Sequence, residues 1–171
     1  QRYRGTWCGD DDRVRKFGDS TECVGYTDGA YRFLPGVDPA LDRIQQLIAD
    51  ENAEALDEVH VNIAVLLPMP WEGRGAMSLV SIRHQLEGAY AAQRAANQDD
   101  EVKYRLLVTN VGYGARAWQQ VSEQLATLRR ADQFAVATGL GHSLVDTRNL
   151  MRRLSDAGVP MVASLATADD L

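Results

Sequence analysis

The feature that most constrains this chain is an alternation that begins at Val59. Short continuous apolar runs take turns with longer stretches whose apolar residues recur at helical spacing. Val61-Asn62-Ile63-Ala64-Val65-Leu66-Leu67, closed by Pro68, reads as a buried strand. Leu79, Ile82, Leu86, Ala89 and Tyr90 mark a helix reaching about Asn97. Tyr104 to Val111 is a second strand, followed by a helix carried by Trp118, Val121, Leu125 and Leu128. Phe134 to Thr138 is a third strand. Val145, Leu150, Met151 and Leu154 carry the next helix, stopped by Gly158, and Val159 to Ala163 is a fourth strand. A β-α-β-α-β-α-β order with uninterrupted apolar strands predicts an α/β fold, a doubly wound parallel sheet with helices on both faces. Residues 165–171 read as the entry to a further helix, so the lobe is expected to be incomplete. Four parallel strands leave an edge and part of a face uncovered, which predicts that the chain alone forms a homo-dimer, swaps elements or aggregates.

Charge divides the chain at the same place. Residues 1–59 hold 13 acids and 7 bases, and residues 60–171 hold 11 of each, which accounts for the overall net charge of −6. We therefore expect an N-terminal cap over 1–58 and an α/β lobe over 59–171, the lobe to which the resemblance below assigns ligand binding. In the cap, Asp28-Gly29 between two apolar runs, Cys23 to Tyr26 and Ala30 to Phe33, predicts a β-hairpin. Asp38-Pro39 predicts a capped helix over about 39–56. Cys8 and Cys23 are the two cysteines of the chain, isolated in a loop-rich stretch. They are expected to form a disulfide, contributing about 3 kcal/mol by loop entropy and pointing to an oxidising, extracytoplasmic compartment. Gln1-Arg2-Tyr3-Arg4 shows no signal-peptide apolar core. Asp10-Asp11-Asp12 does not begin a calcium loop, because the sixth and twelfth positions hold Arg15 and Thr21.

The acidic balance argues against nucleic acid as a partner. No stretch approaches the roughly 20 apolar residues of a membrane span. In an open parallel sheet, ligands sit beyond the carboxyl ends of the strands, here the loops 68–78, 112–115, 139–143 and 164–170. None carries a dinucleotide Gly-x-Gly-x-x-Gly or a phosphate-binding P-loop, so no cofactor is expected. His60, His84 and His142 have no metal-ligand spacing, so no metal is expected either. No nucleophile, base and orienting third group fall on one edge, so the chain is not read as an enzyme. Ser143-Leu144-Val145-Asp146 and Thr167-Ala168-Asp169-Asp170 have the form of capping boxes at the ligand edge. Position alone leaves two readings open, plain caps or sites where helix N–H groups receive an anion. Trp71 in the first loop is equally open as lid, partner contact or loop packing, and His142 is either a neighbour of the site or an exposed loop residue.

Residues 61–171 resemble the first lobe of a type 1 periplasmic (solute) binding protein, the branched-chain amino-acid receptor family. The resemblance rests on Ile63-Ala64-Val65-Leu66-Leu67-Pro68 and on the helix from Arg83 to Gln93 with its closing Asn97. It rests also on Val136-Ala137-Thr138-Gly139-Leu140-Gly141-His142-Ser143, and on Gly158 to Ser164 followed by Ala166-Thr167. It implies ligand contacts from Ser143, Ala166 and Thr167, with Gly141 and His142 beside them and Trp71 covering the ligand. It also implies an amino acid or similar small-molecule carboxylate as ligand, and a membrane permease of an ABC-type transporter, or a sensor, as partner. The segments around Trp7-Cys8-Gly9 and Glu22-Cys23-Val24-Gly25 depart from that family and are similar to large secreted or membrane-anchored bacterial proteins. The alternative reading is accordingly a non-transport sensor or interaction ectodomain.

Overall fold

The computed structural model describes residues 8–9, 12–99, 101–131, 136–139 and 145–163. The strands are β1 (Val14–Lys16), β2 (Cys23–Thr27), β3 (His60–Leu67), β4 (Lys103–Asn110), β5 (Val136–Gly139) and β6 (Met161–Ala163). The helices are α1 (Pro39–Glu54), α2 (Leu79–Asp99), α3 (Trp118–Arg130) and α4 (Val145–Asp156), with a single 3-10 turn over Tyr113–Ala115. They build one six-stranded sheet in the order β1-β2-β4-β3-β5-β6. The last four strands are parallel, in full register from His60 against Lys103 to Leu67 against Asn110.

Alternate side chains of the strands feed two cores. Val65, Leu67, Leu106 and Val108 pack under α1 and α2. Ala64, Leu66, Leu107 and Ala137 pack under α3 and α4. The expected α/β character, with helices on both faces of the sheet, is therefore present. The expectation of a purely parallel sheet is corrected: β2 runs antiparallel to β4, and β1 antiparallel to β2, so the sheet is mixed. The charge break near Val59 is not a break in the sheet, because β2 is hydrogen-bonded directly onto the edge of β4.

The predicted hairpin at Asp28-Gly29 is also corrected. The hairpin turn is residues 17–22, closed by the Phe17 N–H donating to the Glu22 carbonyl at 2.9 Å. At Asp28 the chain leaves the sheet instead. Thr27 Oγ1 accepts the N–H groups of Gly29 and Tyr31, at 3.1 and 3.0 Å. Gly29 does have positive φ, but a Cβ there would lie 2.4 Å from the Ala49 Cβ. The glycine lets the chain press against α1 and does not serve a two-residue turn. Phe33 then drops into the core, fully buried, while its N–H and carbonyl are both held by the Gln45 side chain at 2.9 Å.

Helix α1 starts where expected, with Asp38 Oδ1 accepting from the Ala40 and Leu41 N–H groups. It ends at Glu54, two residues before the expected boundary.

Because β2 pairs with β4 only from Val108 to Asn110, the edge of β4 before it lacks a neighbour. Two asparagines stand in for the missing strand. Asn52 Oδ1 accepts the Leu106 N–H and its Nδ2 donates to the Leu106 carbonyl, both at 2.8 Å. Asn97 does the same at Tyr104, at 2.7 and 3.1 Å. Side-chain amides thus satisfy edge groups that would otherwise be orphaned against the core.

Candidate functional site

The parallel strands have the order β4-β3-β5-β6. The chain leaves β3 towards α2 on one face and leaves β5 towards α4 on the other. Connections that diverge in this way make the boundary between β3 and β5 the topological switch point of the sheet, the place where open α/β proteins hold ligands. Gly139 ends β5 there with φ +96°, and a Cβ on it would lie 2.5 Å from the Leu66 carbonyl oxygen. Only glycine lets the two strand ends approach this closely.

On the β3 side stands Trp71. Its N–H donates to the Arg74 carbonyl and the Arg74 N–H donates back, each at 2.8 Å. Glu72 and Gly73 between them both have positive φ, 47° and 73°, which makes a type I′ turn. The half-buried indole closes a crevice of about 50 Å³ against Tyr31, Phe33, Leu34 and Pro35. Its other side borders a shallow cavity of about 630 Å³ under residues 70–79, with Leu34 and Val37 on the rim. Glu72 and Arg74 lie exposed at the tip.

Three residues that the sequence reading did not single out organise this edge. Asn110, buried at the end of β4, accepts the Met69 and Gly112 N–H groups on Oδ1 at 3.2 and 2.9 Å. Its Nδ2 donates to the Cys23 carbonyl at 2.8 Å. One side chain thereby ties the loops after β3 and β4 to the start of β2. Cys23 is in turn bridged to Cys8, with the Cα atoms 5.5 Å apart, as expected from the sequence.

Glu22, also buried, accepts the Tyr113 N–H at 2.8 Å, while its other carboxyl oxygen has no protein partner. Burial pushes its carboxyl above the usual range, against the opposing pull of the Tyr113 N–H and the Arg116 charge. Arg116 stacks between two rings, 4.7 Å from the centre of Phe17 and 4.3 Å from that of Tyr113, and donates to the Tyr113 hydroxyl. A Gly-x-Gly with an aromatic residue and an arginine after a strand was the available signal for this loop; a strand-final Asn offers almost none.

Of the expected ligand contacts, Trp71 is placed at this edge. Gly141, His142, Ser143, Ala166 and Thr167 lie outside the described residues. Among the described residues, no three His, Cys, Asp or Glu side chains group as a metal site would need, and no helix is long and apolar enough to cross a membrane.

No family model, curated protein or solved structure matches this chain. What it can do is therefore argued from the edge itself. Its features are a cation between two aromatic rings in the loop after β4 and a half-buried indole in the loop after β3.

Proposed function

We propose that this chain is the ligand-binding lobe of an extracytoplasmic protein. It takes an amino acid or a similar small carboxylate at the carboxyl edge of its parallel strands, in the service of transport through a membrane permease or of sensing. The observation that supports this best is the switch point between β3 and β5, with Trp71 in the loop after β3 and Gly139 ending β5. The Cys8–Cys23 bridge supports an oxidising compartment. Ser143 and Thr167, outside the described residues, are assigned the carboxylate on the capping-box form of Ser143 to Asp146 and Thr167 to Asp170 in the sequence.

The energetics of one open lobe are modest. A charge-assisted hydrogen bond contributes about 1.5–3 kcal/mol, and immobilising a ligand costs at least ~4 kcal/mol. Two such bonds leave at most about −2 kcal/mol, and partial burial of the ligand brings the balance to no better than about −4 kcal/mol, a dissociation constant of ~1 mM or weaker. Calorimetry of this chain against a panel of amino acids and short carboxylates tests the reading. Binding near that range, abolished by Ser143→Ala combined with Thr167→Ala, is expected. Binding that survives the double substitution, or no binding by any member of the panel, would refute it. The second reading, an ectodomain that mediates protein contacts, is favoured by a separate feature, the face of β5 and β6 that no helix among the described residues covers.

A further inference from the structure

A cluster of charged side chains lies at the other end of the sheet from the carboxyl edge. Asn62 pairs with Arg105, and Ala64 with Leu107, across the parallel ladder of β3 and β4. Leu107 belongs to the core under α3 and α4. Side chains alternate along a strand, so Asn62 and Arg105 share that face, towards the amino ends of β3 and β4. Leu128, in the last turn of α3, stands over them. With Arg13 and Asp28 these residues line a cavity of about 340 Å³.

The two arginines converge on one acceptor. Arg13 and Arg105 both approach Asp28 Oδ2, at 3.0 and 3.4 Å. Asp28 Oδ1 turns back to its own chain and accepts the Ala30 N–H at 3.4 Å. Among the described residues that line the cavity, Asp28 is the one acid.

Arg13 is engaged elsewhere too, so the unused donors are those of Arg105. A guanidinium carries five N–H groups. Arg105 donates from Nε to the Asn52 carbonyl at 3.2 Å and from Nη2 to Asp28. Its Nη1 meets no acceptor among the described residues, yet keeps accessible surface in a side chain that is only 11% exposed. A guanidinium edge short of acceptors, in a partly desolvated cavity, favours an oxyanion, because charge-assisted bonds are the strong ones and the planar fork matches carboxylate and phosphate. Leu107 and Leu128 add an apolar wall, which suits a small organic body behind the anionic group. The volume lies within the range of small-ligand sites.

The cavity is separate from the carboxyl edge. Asn62 and Leu67 lie about 17 Å apart along β3. We propose that it is a second binding site, which takes a small molecule bearing one oxyanion group, a carboxylate or a phosphate, on the free guanidinium edge of Arg105. This assignment does not depend on the ligand proposed for the carboxyl edge.

The test titrates inorganic phosphate and butyrate, separately, into the 15N-labelled whole chain. Saturable shifts are expected at the Arg105 side-chain Nε–H and at the Asn62, Arg105 and Leu107 amides. They should persist in the Ser143→Ala plus Thr167→Ala variant, which separates this cavity from the carboxyl edge. Phosphate alone binding assigns a phosphate group to the ligand, butyrate alone a carboxylate, and both together an oxyanion recognised by charge. Arg105→Gln should weaken binding by about tenfold. That change also removes two bonds of the fold, so Asp28→Asn supplies a second test. It keeps the shape and removes the competing negative charge, and should tighten binding about tenfold, which a purely structural Arg105 would not do. Binding of neither probe would mean that acids of the chain itself fill the cavity, and would overturn the proposal. So would binding unchanged in Arg105→Gln, or no tighter in Asp28→Asn.

Discussion

Replacing Asn52 by leucine should remove the element that substitutes for a strand on the free edge of β4. Asn52 is 1% exposed and its side chain makes four hydrogen bonds, to the Leu106 N–H, the Leu106 carbonyl, the Asp28 carbonyl and Gln93 Nε2. Asn52→Leu keeps the volume and strands the Leu106 N–H and carbonyl in an apolar surround. At about 1–3 kcal/mol for each buried group left unsatisfied, and allowing for partial water entry, the cost is ~3–4 kcal/mol. With a urea slope of about 2 kcal/mol/M, the unfolding midpoint should fall by roughly 1.5–2 M at unchanged slope. Asn97→Ala, at the half-exposed end of the same edge, should cost only ~1 kcal/mol because water can replace the amide. Hydrogen exchange supplies a second readout, in which the Leu106 amide loses its protection in Asn52→Leu while Val108, paired with β2, keeps it. A loss below ~1 kcal/mol, or a Leu106 amide as protected as before, would refute the strand-substitution account.

Three further outcomes follow from the same structure. Burial pushes the Asp28 carboxyl up, but the Arg13 charge and hydrogen bond, the Ala30 N–H and the Arg105 charge pull it further down, below the usual range. Its contribution is therefore present above the ordinary carboxylate pKa and lost as pH falls through the depressed value, and Asp28→Asn should flatten the acid limb of a stability–pH curve. Glu22 behaves oppositely: with its carboxyl raised by burial, stability should decline as pH rises from the ordinary glutamate value through the raised one, and Glu22→Gln should remove that decline. Cys8→Ser with Cys23→Ser opens a loop of sequence separation 15 and should lower stability by about 3 kcal/mol in denaturant titration, whereas a loss under ~1 kcal/mol would mean the bridge constrains little.

Strands β3 and β4 are legible in the sequence because their later residues are buried on both faces. Such strands must read as unbroken apolar runs, and β3 and β4 do. The N-terminal pairing is illegible for a physical reason. Strand β1 has one buried residue, Val14, and its place in the sheet comes from backbone bonds that carry no side-chain pattern. Asp28-Gly29 carries a strong turn signal, yet the positive φ of Gly29 is used to admit Ala49. At the candidate site, Trp71 is visible as an aromatic in a strand-to-helix loop. Asn110 and Glu22 are not, because each acts on backbone far away in the chain, 87 and 91 residues distant. Only the docking of β2 onto β4 brings those groups together.

The most direct test of the central claim is a two-dimensional 1H–15N spectrum of this chain titrated with the amino acid that binds best in calorimetry. The account predicts saturable shifts confined to the carboxyl edge, at the Trp71 indole N–H and the amides of Gly139, Ser143 and Thr167, with millimolar affinity. Shifts centred on Asn62, Arg105 and Leu107 instead, or none at saturating ligand, would contradict it.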